Sequence, residues 1–114
     1  MPLMVAPWKF DETRTWDATC ELCEEARFTE WFFEDDLCWI AECDACAVPM
    51  VVWRNHSAQP SEEVRTHLCA RLTEVMERCF DGRWKLDDRL RTIPTHYHAH
   101  ARSLTWGPDA LKRR

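Results

Sequence analysis

Near the end of the chain, His96-Tyr97-His98-Ala99-His100-Ala101 alternates a histidine with a small or aromatic residue. Successive side chains of a β-strand point to opposite faces, so this alternation fits a strand and no other regular element. His96, His98 and His100 would share one face at spacings of about 7 Å, while Tyr97, Ala99 and Ala101 would line the other and enter a core. Three imidazoles make a poor core surface, because each carries ring nitrogens that need partners when buried. Imidazole titrates near neutral pH and binds metals. The histidine face is therefore read as a site, and the rest of the fold has to supply a sheet around it.

The chain has 114 residues, 46% hydrophobic and 31% charged, which suits one domain with a modest core. The formal charge of −5 argues against a general nucleic-acid surface. No apolar run approaches the roughly 20 residues that span a bilayer, and the start lacks the basic region of a signal peptide. The expected compartment is the cytoplasm. There the seven cysteines are better suited to metal than to disulfides, and their odd number leaves at least one thiol unpaired in any disulfide scheme.

Residues 1–19 show no clean period and are expected to form an arm whose aromatics, Trp8, Phe10 and Trp16, pack on the body. Residues 20–106 form the domain, and 107–114 a tail, irregular or a short helix. Glu30–Phe33, Leu37–Ala41 and Val48–Trp53 read as strands, the first two joined by the turn Glu34-Asp35-Asp36, read as solvated. Ser61 is the expected N-cap of a helix with Glu62 and Glu63 in its first turn. Val64, Leu68, Leu72, Val75, Met76 and Cys79 recur at helical spacing up to Phe80, and Asp81-Gly82 stops the run. His67 falls off that stripe and is expected in solvent. Trp84–Leu86 and the histidine segment supply two further strands. The sum is an α+β fold: an antiparallel sheet of about five strands, a meander, with one main amphipathic helix.

Cys20 and Cys23 form a C-x-x-C, a common half of a zinc site. Two completions are open on spacing. Cys43 and Cys46 would make a four-cysteine zinc ribbon, an interaction domain in which the histidines are incidental. His56 and His96 would make a Cys2His2 tetrahedron tying three separated parts of the chain together. Cys43 and Cys46 otherwise read as small buried residues, and Cys38, Cys69 and Cys79 as packing. Most of the seven tryptophans are expected in the core, with one near the histidines or on the arm able to touch a nucleobase.

The C-x-x-C, the acidic turn before Leu37, the strand ending in His56, the helix from Ser61 and the H-φ-H-φ-H-φ segment occur in an order that resembles the histidine triad (HIT) superfamily of nucleotide hydrolases and transferases. The likeness covers about residues 20–106. Arg102 stands where an apolar residue is usual, Thr95 separates Pro94 from His96, and Asp87–Thr92 contains no glycine where the superfamily has a glycine-rich phosphate turn. The resemblance implies a HIT-like fold, a homodimer, and a nucleotide or nucleotide-conjugate substrate cut or transferred at its α-phosphate. It implies His98 as the nucleophile that forms a covalent nucleotidyl-histidine, with His100 supporting phosphate charge. Arg91, Thr92 and Arg102 are the expected substrate contacts, and a structural zinc would be held by Cys20, Cys23, His56 and His96. A catalytically inactive nucleotide-binding module is the alternative on the same scaffold.

Overall fold

The computed structural model describes residues 16–25, 27, 29–43, 47–90, 93–105 and 110–114. Among these described residues, seven strands and two helices run in the order α1 (Glu21–Glu24), β1 (Trp31–Glu34), β2 (Cys38–Glu42), β3 (Pro49–Trp53), α2 (Glu62–Cys79), β4 (Phe80–Asp81), β5 (Trp84–Asp87), β6 (His98–Ser103) and β7 (Lys112–Arg113). Five of the strands form one sheet in the order β1-β2-β3-β6-β5, every neighbouring pair antiparallel. This is the expected α+β architecture, with its meander in two runs, β1-β2-β3 and β5-β6, separated in sequence by α2. Among the described residues no helix is long and apolar enough to cross a membrane.

Strand alternation sorts the sheet into two surfaces. Cys38 and Ile40 of β2, Val51 of β3, and Ala99 and Ala101 of β6 pack against Val64, Leu68, Leu72, Val75 and Met76 of α2 in one buried cluster. Trp39, Ala41 and Val52 face the other way and join Leu22 of α1. Val52 pairs with His98 and Met50 with His100 in the β3–β6 register, so the two histidines lie on this second surface.

Local chemistry explains the main helix. The Ser61 side chain accepts a hydrogen bond from the Val64 amide at 3.2 Å, satisfying one of the open first-turn donors. No glycine or proline interrupts the 18 residues that follow. The helix ends where Phe80 turns extended, its amide still donating to the Met76 carbonyl. Gly82 then adopts a φ of +118°, and a Cβ there would meet the Leu111 Cα at 3.0 Å. That close approach lets the chain end return beside the helix exit.

Four expectations change. The tail is not wholly irregular: β7 pairs with β4, and Arg113 makes two bonds to the Glu30 carboxylate at 2.8 and 2.6 Å. Residues 1–15 of the expected arm lie outside the described residues, and Trp16 is 61% exposed rather than packed away. His67 is not a freely solvated residue, because its Nε2 lies 2.7 Å from Asp35 Oδ2. Asp35 in turn is not merely a solvated turn residue, since its Oδ1 accepts from the amides of Leu37 and Cys38, each at 2.8 Å. The β1–β2 turn is thus pinned to α2 through one carboxylate.

Burial pushes the Asp35 carboxyl upward, but hydrogen bonds from His67, Cys38 and Leu37 outweigh it and hold the group below its ordinary 3.8. A carboxyl depressed in the folded state stabilises the fold above its unfolded value and loses that contribution as pH falls through the folded one. Asp35→Ala should cost about 1–3 kcal/mol at pH 7, by stranding the amides it serves. In urea denaturation series, the gap between variant and wild type should narrow once the pH drops below about 3.8.

Candidate metal centre and histidine pair

The two cysteines of the C-x-x-C come from one turn of chain. Cys20 is the N-cap of α1 and Cys23 lies inside it, and Glu25 closes the helix in the left-handed region at φ 54°. Leu22 anchors the turn in the apolar cluster of the second sheet surface. Arg54, just past β3, is the external tether. It pairs with the Glu25 carboxylate, reaches Glu34 at 3.3 Å and donates from Nε to the Asp35 carbonyl at 2.8 Å.

His56 and His96 meet these thiols. Cys20 Sγ lies 3.5 Å from His96 Nδ1, and Cys23 Sγ lies 3.3 Å from His56 Nδ1 and 3.5 Å from His96 Nδ1. All four donor atoms fall within 4.8 Å of one another, close enough to hold a metal ion. Two thiols and two imidazoles converging on one point are the donor chemistry of a borderline-soft metal. The outer contacts suit the same purpose. His96 Nε2 meets the Trp53 carbonyl, which can only accept, so the proton sits on Nε2 and Nδ1 turns its lone pair to the thiols. His56 Nε2 faces Asp17 Oδ2 at 3.8 Å, and the Asp17 amide donates to Cys23 Sγ at 3.4 Å. Trp16 Nε1 donates to the Cys23 carbonyl at 3.1 Å. Burial pushes the Cys23 thiol up and the His96 imidazole down.

The histidine row is divided. His96 precedes β6 in a bend, and its ring lies edge-on to His56 at 5.3 Å. The backbone of Tyr97 explains the break: its amide donates to the Ser57 carbonyl at 2.7 Å and its carbonyl accepts from the Trp53 amide at 3.4 Å. His98 and His100 remain on the strand as a second edge-on pair, 5.6 Å apart. The three rings are 0%, 5% and 7% exposed in chain order, so all belong to the interior lining and none to open surface. His98 Nδ1 donates to the His96 carbonyl at 2.8 Å, which leaves Nε2 with the lone pair. Burial lowers the His98 imidazole below its ordinary range, against the opposing effects of that hydrogen bond and of Asp87.

Of the other expected site residues, Arg102 is committed to an ion pair, its Nε 2.6 Å from Asp87 Oδ2. Arg91, Thr92 and Cys46 lie outside the described residues. Cys43 is buried where its backbone bonds to Val48 and Ala47 shape the turn into β3, and it is not among the four clustered donors. Sequence reasoning missed Asp17, Trp53 and Asp87. Only Asp17, three residues before the C-x-x-C, offered a local signal. Trp31 and Trp39, on the histidine side of the sheet, stack at 4.7 Å with Arg27 over the outer ring at 4.0 Å.

No family model matches the chain, and no curated protein matches it. The geometry stands alone: a Cys/His cluster able to hold a metal, and a buried histidine pair joined to it through His96.

Substitution separates the two ways of completing the C-x-x-C. His56→Ala should abolish metal binding and Cys43→Ala should retain it, as read by metal per chain after gel filtration. Because the thiols must lose protons to bind, and burial raises that of Cys23, apparent affinity should fall as the pH is lowered from 8 to about 6.

Proposed function

We propose that the chain is a HIT-like nucleotide hydrolase or nucleotidyl transferase with a structural zinc. The observation that carries the reading is the hydrogen bond from His98 Nδ1 to the His96 carbonyl. It presents Nε2 as a nucleophile of fixed tautomer, on a strand rather than a loop, which is what covalent catalysis at phosphorus requires. His98 would attack the α-phosphorus of a nucleotide or nucleotide conjugate. His100, edge-on beside it, would support the charge on the phosphoryl oxygens. Arg102 would contribute to the same face, with Arg91 and Thr92 as further substrate contacts. Water or an acceptor alcohol would then release the nucleotidyl group.

Zinc is the metal that the donor set supports best. Sulfur at about 2.3 Å and nitrogen at about 2.0–2.1 Å from a tetrahedral zinc lie about 3.5 Å from each other. The observed sulfur–nitrogen distances are 3.3 to 3.5 Å. Four protein ligands leave no open position, so the bound ion would stabilise structure. A homodimer belongs to the same reading by resemblance alone, and the cytoplasm is the compartment expected from the sequence.

A nucleotide-binding module without turnover is the second reading, favoured by the 5% and 7% exposure of His98 and His100. A panel of nucleoside 5′-phosphoramidates and dinucleoside polyphosphates decides between them. Wild type should turn over at least one member, and His98→Ala should fall to the blank rate while keeping its metal. Binding of a panel nucleotide by calorimetry with no turnover by wild type selects the module instead.

A further inference from the structure

Asp87 is a largely buried acid in a place where a nucleotide site has no evident use for one. It sits at the end of β5, opposite His100 in the β5–β6 register, so the two side chains leave the same face of adjacent strands. Its side chain is only 9% exposed. One carboxylate oxygen accepts from Arg102 Nε at 2.6 Å and the other from the Arg89 amide at 3.1 Å. On the opposite flank, β3 presents Val52 to His98 and Met50 to His100, both apolar. The strands on either side of the histidine pair therefore offer it hydrocarbon on one side and a fixed carboxylate on the other. Next along the face, Lys85 stands opposite Arg102.

We infer that Asp87 is the counter-charge of the histidine pair, a positioning residue held in place by Arg102 that stabilises the cation formed on His98 during nucleotidyl transfer. The inference rests on the reaction proposed above. In that step the lone pair of His98 Nε2 forms the bond to phosphorus, and the bond from phosphorus to the leaving group breaks. The leaving group departs with that electron pair and takes a proton from water. The Nδ1 proton stays on the ring, hydrogen-bonded to the His96 carbonyl, so the imidazole of the intermediate carries a full positive charge. Hydrolysis returns the ring to its neutral form. A neutral, buried ring opposite Val52 pays a desolvation penalty on becoming a cation. A carboxylate already fixed nearby needs no reorganisation to offset it. Arg102 explains how the acid tolerates its own burial, since an unpaired carboxylate there would protonate or draw in water. The same pair keeps the carboxylate oriented.

The test is single-turnover labelling of the full chain with adenosine and guanosine 5′-phosphoramidate, read as the mass of the nucleotidyl adduct against time. Asp87→Asn keeps the shape and removes the charge. It should slow adduct formation about 10- to 100-fold, with the KM for the phosphoramidate changed less than about twofold and metal content at wild-type level. Asp87→Glu should recover most of the lost rate. Labelling of Asp87→Asn at the wild-type rate overturns the inference while leaving the proposed reaction intact. If Asp87→Asn and Asp87→Glu lose rate equally, in proportion to lost helical signal by circular dichroism, Asp87 is only a structural tie and the inference fails. A wild-type chain that forms no adduct with either probe rejects the transfer reaction itself, and this role with it.

Discussion

The antiparallel pairing of β3 with β6 is the interaction on which the rest of the molecule depends. It joins residues 50–52 to 98–100, across almost half the chain, in the register Met50 with His100, Val51 with Ala99 and Val52 with His98. Side chains alternate across a strand, so this single register decides both surfaces of the sheet at once. Val51 and Ala99 close the core under α2, and Val52 and His98 are turned to the opposite surface. A slip of one residue would present the imidazoles to the helix stripe and the alanines to the metal side. Pairing partners this distant in sequence cost loop-closure entropy that no local turn recovers. The contacts that repay it lie at its flanks: the helix packing on one surface and the Cys/His cluster at one end.

That cluster spans the same separation. Cys20 and His96 are 76 residues apart, and their side chains meet at 3.5 Å. A metal bound there would tie α1, the exit of β3 and the entrance of β6 to each other, cross-linking the chain where the sheet ladder ends. Local structure prepares the corner. Trp53 and Tyr97 continue the backbone pairing past the last ladder residues, Ser57 holds the Tyr97 amide, and Arg54 fastens the end of α1 to the β1–β2 turn. The site is therefore preorganised by contacts that do not involve the four donors.

What could be read from sequence follows the range of the interactions involved. The helix was legible almost to the residue, because Ser61, the two glutamates and the stripe from Val64 to Met76 are local signals. The strands were legible to within one or two positions by alternation and apolar runs. The set Cys20, Cys23, His56 and His96 was ambiguous on spacing, where Cys43 and Cys46 fitted equally well, and it is the fold that brings these four donors together among the described residues. The β4–β7 pair, the Asp35–His67 contact and the Asp87–Arg102 pair were invisible. Each joins residues whose own neighbourhoods read as solvated charge. Asp87 is the clearest instance, since a polar stretch without glycine gives no sign that its first acid is buried against a strand it has yet to meet. The division of the histidine row was hidden for a different reason: it depends on backbone carbonyls, which sequence does not display.

His96 is where the two halves of the site become one. Its ring gives Nδ1 to the thiols because the Trp53 carbonyl claims the Nε2 proton, and its own carbonyl claims the Nδ1 proton of His98. Two carbonyls, those of Trp53 and His96, thus set opposite tautomers on two histidines only two residues apart. That carbonyl belongs to the peptide whose amide, that of Tyr97, donates to the Ser57 carbonyl at 2.7 Å, so the main chain holds the hydrogen bond that orients His98 while the His96 ring faces the thiols. One residue, held by its ring on one side and by its main chain on the other, thus links the Cys/His cluster to the histidine pair.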